Sequence, residues 1–131
     1  MSEQANYGTN DFIGVRLINH ADDAVLPVGE HDFPEAINRC LLVDKTMFIA
    51  DMLDCEASVA LCCRPKGFGK SMNLSMLTCY LERPIRRRPD RNVFADTQIW
   101  EAGGGRYRDE HARYPVISLD LSAVARRGTD A

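Results

Sequence analysis

Residues 57–63 (Ala-Ser-Val-Ala-Leu-Cys-Cys) carry no charge and no polar alternation, and charged residues bracket them on both sides. Such a run predicts a parallel β-strand covered on both faces. The apolar period then changes. Between Ser71 and Glu82 one stripe holds Leu74, Leu77 and Leu81, and a second holds Met72, Met76 and Cys79. A helix that is apolar nearly all round is expected there, packed against a sheet. A second strand is expected at 114–122, where Val116, Ile117 and Leu119 precede Asp120.

Elsewhere the pattern is shorter in range. Residues 11–19 contain Phe12, Ile13, Val15, Leu17 and Ile18 and read either as a short strand or as a docked arm. Residues 25–28 are extended, as Pro27 favours. A short helix is expected over 32–39, with Asp32 at its N-cap and Pro34 in its first turn. Residues 41–43 fit a brief strand. Asp44 then caps a helix over 45–53 whose inner face carries Phe48, Ile49, Met52 and Leu53. Residues 82–92 form a charged loop with two prolines, 93–100 is partly apolar and fits no one type, and Gly103-Gly104-Gly105 marks a turn. Residues 1–9 and 123–131 are polar and expected to be loose. No internal repeat is visible.

Between the apolar run and the helix stands Arg64-Pro65-Lys66-Gly67-Phe68-Gly69-Lys70-Ser71. Strand, glycine loop, Lys-Ser and helix is the layout of a phosphate-binding loop. Its chemistry needs backbone N–H groups aimed at one point, the positive end of a helix beside them, a lysine for the terminal phosphates and a hydroxyl for Mg²⁺. Lys70 and Ser71 suit the last two roles, and the amides of residues 67–70 suit the cradle. The first glycine of GxxxxGK[ST] is replaced by Arg64, which either contacts phosphate or braces the loop against an acidic neighbour such as Asp120. Lys66 either adds positive potential or is a plain exposed lysine.

These residues resemble the AAA-ATPase-like P-loop family, often fused to a PD-(D/E)XK nuclease-like region, whose loop reads RPRRFGKS. Arginine at the position of Arg64 is then the family habit, and Gly67 replaces the second arginine of that string. Leu26-Pro27-Val28-Gly29, Asp32-Phe33, Val43-Asp44-Lys45-Thr46 and Phe48-Ile49 resemble the family's "lPiG…dF…yVDKT.fI" segment, with Leu42 where an aromatic is usual. Phe94 and Ile99 resemble a further segment, and Tyr114-Pro115-Val116-Ile117 with Leu119-Asp120-Leu121-Ser122 looks like "yPVi.lDfs". The match runs from about Val25 to Val124. The resemblance implies a three-layer P-loop NTPase-like α/β fold, a parallel sheet flanked by helices, of which this chain supplies the N-terminal portion. It implies binding of ATP (or GTP) with Mg²⁺ through Arg64, Lys66, Gly67, Phe68, Gly69, Lys70 and Ser71. Ser71 is the expected metal ligand. Asp120 is a second metal candidate, although the family's acidic hhhDE motif lies on a later strand that this chain does not contain.

Composition narrows the alternatives. At 131 residues, 45% hydrophobic and 27% charged, the chain has the makeup of one soluble globular domain. We divide it into an arm at 1–24 and the P-loop portion at 25–131. The net charge of −3 points to neither nucleic acid nor a membrane, and the cytoplasm is the default compartment. The run Arg86-Arg87-Arg88 reads as a solvated loop, with phosphate binding or an arginine finger as the sharper alternatives. The five cysteines are odd in number and contain no CxxC pair, so they read as reduced thiols, those at 62, 63 and 79 in the core. No residue is an evident water-activating acid, so no catalytic residue is assigned. The competing reading is a non-catalytic remnant or interaction module that has lost nucleotide binding. A protein partner or a further C-terminal region would complete the sheet.

Overall fold

The computed structural model describes residues 15–84 and 92–121. The expectations for 1–14, for the arginine run at 86–88 and for 122–131 lie outside the described residues. Helix α1 spans Phe33–Arg39, α2 Met47–Leu53, α3 Lys70–Leu81 and α4 Gln98–Glu101, followed by a 3-10 segment, Ala102–Glu110. Strands β1, Leu17–Ile18, and β2, Leu42–Val43, pair antiparallel with Leu17 opposite Val43 and Ile18 opposite Leu42. The apolar pair at 17–18 is therefore a strand edge, and Arg16 beside it donates to both carboxylate oxygens of Glu101 at 3.0 and 3.2 Å.

The helices form where local period and turn chemistry place them. Pro34 opens α1, where its missing N–H costs nothing. The cap of α1 comes from another helix. Ser75 of α3 accepts the Phe33 N–H at 3.0 Å and donates to Asp32 at 3.3 Å. Asp32 occupies the N-cap position, but its carboxylate makes no cap bond of its own.

Asp44, expected to cap the helix that follows, does not: α2 begins at Met47 with Thr46 at its N-cap position, and no side chain makes a cap bond there. One Asp44 carboxylate oxygen accepts the N–H and the hydroxyl of Thr46, at 2.9 and 2.6 Å, and the other accepts the Gln98 N–H at 2.8 Å. The Thr46 hydroxyl oxygen accepts the Ile99 N–H at 3.1 Å. Both side chains are buried, so the pair fastens the start of α2 to the start of α4. A buried carboxylate is tolerated because three donors replace its water.

The core collects Phe33, Ile37, Ile49, Met76, Tyr80, Phe94 and Ile99. Phe94 stacks on Phe33 at 5.4 Å and meets the edge of Tyr80 at 4.9 Å. The Tyr80 hydroxyl donates to the Tyr107 carbonyl at 2.6 Å, and burial pushes its pKa up to about 12. His111 sits against the rings of Tyr80, Phe94 and Trp100, and burial holds its pKa below the usual histidine value. The folded state thus binds fewer protons than the unfolded state. Its contribution is fully present above the unfolded histidine pKa of about 6.5 and is lost as pH falls through the depressed folded value. Unfolding temperature measured across this range should fall more steeply on acidification in the native chain than in His111→Phe. Parallel curves would refute the assignment.

The described residues depart from expectation at the sheet. They contain no parallel three-layer sheet, only the two-stranded antiparallel pair. Residues 57–63 belong to no strand and are exposed throughout, with Val59 at 83% and Leu61 at 86%. Beyond a single parallel bridge of Tyr114 to Glu82, residues 115–121 are likewise unpaired. The reason is that apolar composition makes a segment able to enter a sheet, whereas a strand exists only when neighbours take its N–H and C=O groups. Helix α3 shows the same half-completion. Its Met76 and Tyr80 are buried, while Leu74 faces solvent at 55%. Residues 116–119 border Leu74, Leu77 and Leu81 across a shallow apolar cleft of about 160 Å³.

Candidate functional site

The glycine loop hangs between the uncovered segment 57–63 and the first turn of α3. A turn at Lys66 and Gly67 reverses the chain, and Gly67 and Gly69 take φ of 88° and 75°. These left-handed values explain why both positions are glycine, since a Cβ strains that conformation by roughly 1–2 kcal/mol. A Cβ built at either glycine would meet nothing within 4 Å, so open space lies beside both.

Gly69 is the N-cap of α3 and, having no side chain, caps nothing. The first-turn N–H groups, which lack intrahelical acceptors, are left for an external one. Lys70, the first helical residue, folds back over the loop. Its ammonium donates to the carbonyls of Arg64 at 2.5 Å and Pro65 at 3.1 Å. The lysine thereby closes residues 64–70 into a ring that starts and ends at the same charge. Sequence reasoning weighed the Arg64 side chain as a phosphate contact or a brace. The structure engages its carbonyl, which the spacing to Lys70 alone does not reveal.

The other candidates are less drawn together. Arg64, Lys66, Phe68 and Ser71 are exposed, Phe68 at 59%, and Ser71 lies in the first turn of α3. Asp120 is exposed and directly follows the residues at 116–119 that line the cleft. Among the described residues no ion pair joins Asp120 to Arg64. Nor do three or more His, Cys, Asp or Glu side chains gather where they could hold a metal ion among these residues.

The cysteine expectation needs correction. Cys62 and Cys63 are exposed, not core thiols, because the strand that would have buried them has no neighbours. Cys55 is also exposed, Cys79 is half-buried and only Cys40 is buried. Ser75, which binds α3 to α1, was not singled out by its sequence context; a serine in mid-helix gives no local sign of a partner 42 residues away.

The molecule is thus an α/β protein in which an unpaired apolar segment runs through a lysine-closed glycine loop into a helix. The chain belongs to the AAA-ATPase-like family: the family model, described as "Predicted AAA-ATPase", matches residues 27–131. No curated protein and no solved structure matches it. Among the described residues no helix is long and apolar enough to cross a membrane.

Proposed function

We propose that the chain binds a nucleoside triphosphate, ATP or GTP, with Mg²⁺ at the loop 64–71. The observation that carries this reading is the ring closed by Lys70 on the Arg64 and Pro65 carbonyls, beside an uncapped helix start. The residues present suit a polyphosphate. Two glycines leave open space, a cation stands over the loop, and the helix terminus favours negative charge. Lys70 would hold the terminal phosphates, the amides of residues 67–70 would cradle them, and Ser71 would ligate Mg²⁺. The metal, when bound, supplies neutralisation of phosphate charge. Arg64 and Lys66 add positive potential at the rim.

Hydrolysis asks more than this loop offers. It needs a group that orients the attacking water, and the reading assigns that role to no residue of the chain. Binding in excess of turnover is the expected behaviour. Strands supplied by a protein partner or by a further C-terminal region would cover segments 57–63 and 115–121 and complete the sheet.

The competing reading, a loop kept for structure after binding was lost, draws on the same lysine, whose ammonium is already engaged by carbonyls. Calorimetric titration with MgATP and MgGTP separates the two: saturable heat supports the nucleotide site, and its absence in folded protein supports the remnant. Asp120 tests the metal assignment. Asp120→Asn should leave Mg²⁺-dependent affinity nearly unchanged, and a loss of about tenfold, or 1.4 kcal/mol, would make it a principal metal residue.

A further inference from the structure

We propose that the Asp32 carboxylate is the acidic partner of the Mg²⁺ that accompanies a nucleotide at Ser71, accepting a hydrogen bond from a water of the hydrated cation. The inference rests on the reading of the loop as a nucleotide site. An aspartate at a helix N-cap ordinarily accepts an N–H of its own first turn. Asp32 stands at the N-cap of α1 and makes no such bond. Its carboxylate accepts the hydroxyl of Ser75 instead, at 3.3 Å, on another helix. Among the described residues its second oxygen takes no hydrogen bond, and no ion pair engages the group. A full negative charge is thus carried from α1 to α3 and left unneutralised there.

The place where it arrives is what matters. Ser71 and Ser75 are four residues apart on α3, so they are neighbours on one face, with Cβ atoms about 5–6 Å apart. Helical side chains lean toward the N-terminus, which sets the Ser75 hydroxyl over the turn that begins at Ser71. Asp32 therefore meets α3 on the face that carries the expected metal ligand, close to the end that the glycine loop enters. Its backbone is held firmly. The Glu30 carboxylate accepts the Asp32 N–H at 3.2 Å, Ser75 accepts the Phe33 N–H at 3.0 Å, and the buried Phe33 ring stacks on Phe94. The side chain itself is exposed, as is Ser71. A fixed backbone under an accessible carboxylate is the preorganisation that a ligand-binding group needs.

Mg²⁺ gives up its waters reluctantly and is usually bound by one or two carboxylates together with substrate phosphates. A hydroxyl at Ser71 and a carboxylate one turn further on suit that habit, the hydroxyl in direct contact and the carboxylate through water. Asp32 then orients the hydration shell and sets a negative charge against the cation. No covalent bond forms or breaks, and no proton changes owner. The loss expected of Asp32→Asn is the counterpart of the unchanged affinity expected of Asp120→Asn.

The test is calorimetric titration of the native chain, Asp32→Asn and Ser75→Ala with ATP, once in Mg²⁺ and once in EDTA. Asparagine keeps an oxygen for Ser75 and removes the charge. Asp32→Asn should weaken MgATP binding about tenfold, the usual effect of losing an outer partner of a metal, and leave metal-free ATP binding unchanged. Ser75→Ala keeps the charge and cuts the tether, so it should weaken MgATP binding by less and also spare metal-free binding; it decides the matter if Asp32→Asn does not fold. MgATP affinity equal to that of the native chain in the folded variants overturns the proposal. So does an equal loss in Mg²⁺ and in EDTA, which is the mark of a structural role, and so does native affinity indifferent to Mg²⁺. If the native chain binds ATP under neither condition, the nucleotide reading fails and this inference with it. If the native chain binds MgATP and Asp32→Asn matches it, this inference alone fails.

Discussion

Lys70→Ala should abolish the rise in unfolding temperature that MgATP gives the native chain. A ligand that binds only the folded state stabilises it by RT ln(1 + [L]/Kd), about 2.7 kcal/mol at a hundredfold excess over Kd. In a domain of this size, that is a shift of several degrees. The loss follows from what the ammonium does. It would supply the charge for the terminal phosphates, and it closes the loop on the Arg64 and Pro65 carbonyls, so alanine removes both ligand and loop closure. Because Lys70 is exposed, the substitution should leave ligand-free stability nearly unchanged. Scanning calorimetry with and without MgATP reads both quantities. A full MgATP shift in Lys70→Ala would remove the lysine from the site. A large loss without ligand would make its role chiefly structural.

Asp44→Ala should cost about 3 kcal/mol of unfolding free energy, since a buried donor left without an acceptor costs about 1–3 kcal/mol. Alanine strands two backbone donors, the N–H groups of Thr46 and Gln98, together with the Thr46 hydroxyl. Asp44→Asn keeps one accepting oxygen and turns an NH₂ on the other side, so it should fall between. Thr46→Val preserves shape, and it removes the hydroxyl that donates to Asp44 and accepts from Ile99. It should destabilise in the same direction by less. Urea unfolding of the three variants measures this series, and a loss below about 1 kcal/mol for Asp44→Ala would show that water replaces the carboxylate freely. The matched Asp-Lys-Thr string is thereby accounted for in part. Asp44 and Thr46 fasten two helices, and Lys45 between them faces solvent.

Local order was legible in the sequence, and distant pairing was not. Helix α3, Lys70–Leu81, differs by one residue at each end from the span read off its leucine and methionine stripes, because i, i+3 and i+4 spacing is a property of the segment itself. The glycines at 67 and 69 were legible for a similar reason, since a left-handed φ selects glycine wherever it occurs. Asp44 carries the local signal of a helix cap, yet the N-cap position of α2 falls to Thr46, and the Asp44 carboxylate instead joins the Thr46 turn to Gln98, 54 positions along the chain. The strand at 57–63 failed differently. Its composition shows what it can bury and says nothing of who stands beside it, so the expected burial of Cys62 and Cys63 went with the missing neighbours. The loop lay between these cases. Its lysine was evident from Gly-Lys-Ser, whereas the carbonyls that receive it belong to the half of the motif that departs from the usual pattern.

The uncovered run at 57–63 also bears on how the chain keeps apart from copies of itself. Seven residues without charge or proline have the composition that stacks into cross-β ribbons when edges are free. Charged or ring-locked residues at both ends of such a window act as gatekeepers, since each added layer would bring like charges into register. Glu56 guards one end here, and Arg64, Pro65 and Lys66 guard the other. Two of the cations assigned to the phosphate rim therefore have a second duty that needs no ligand: they make self-stacking of the adjoining segment electrostatically costly.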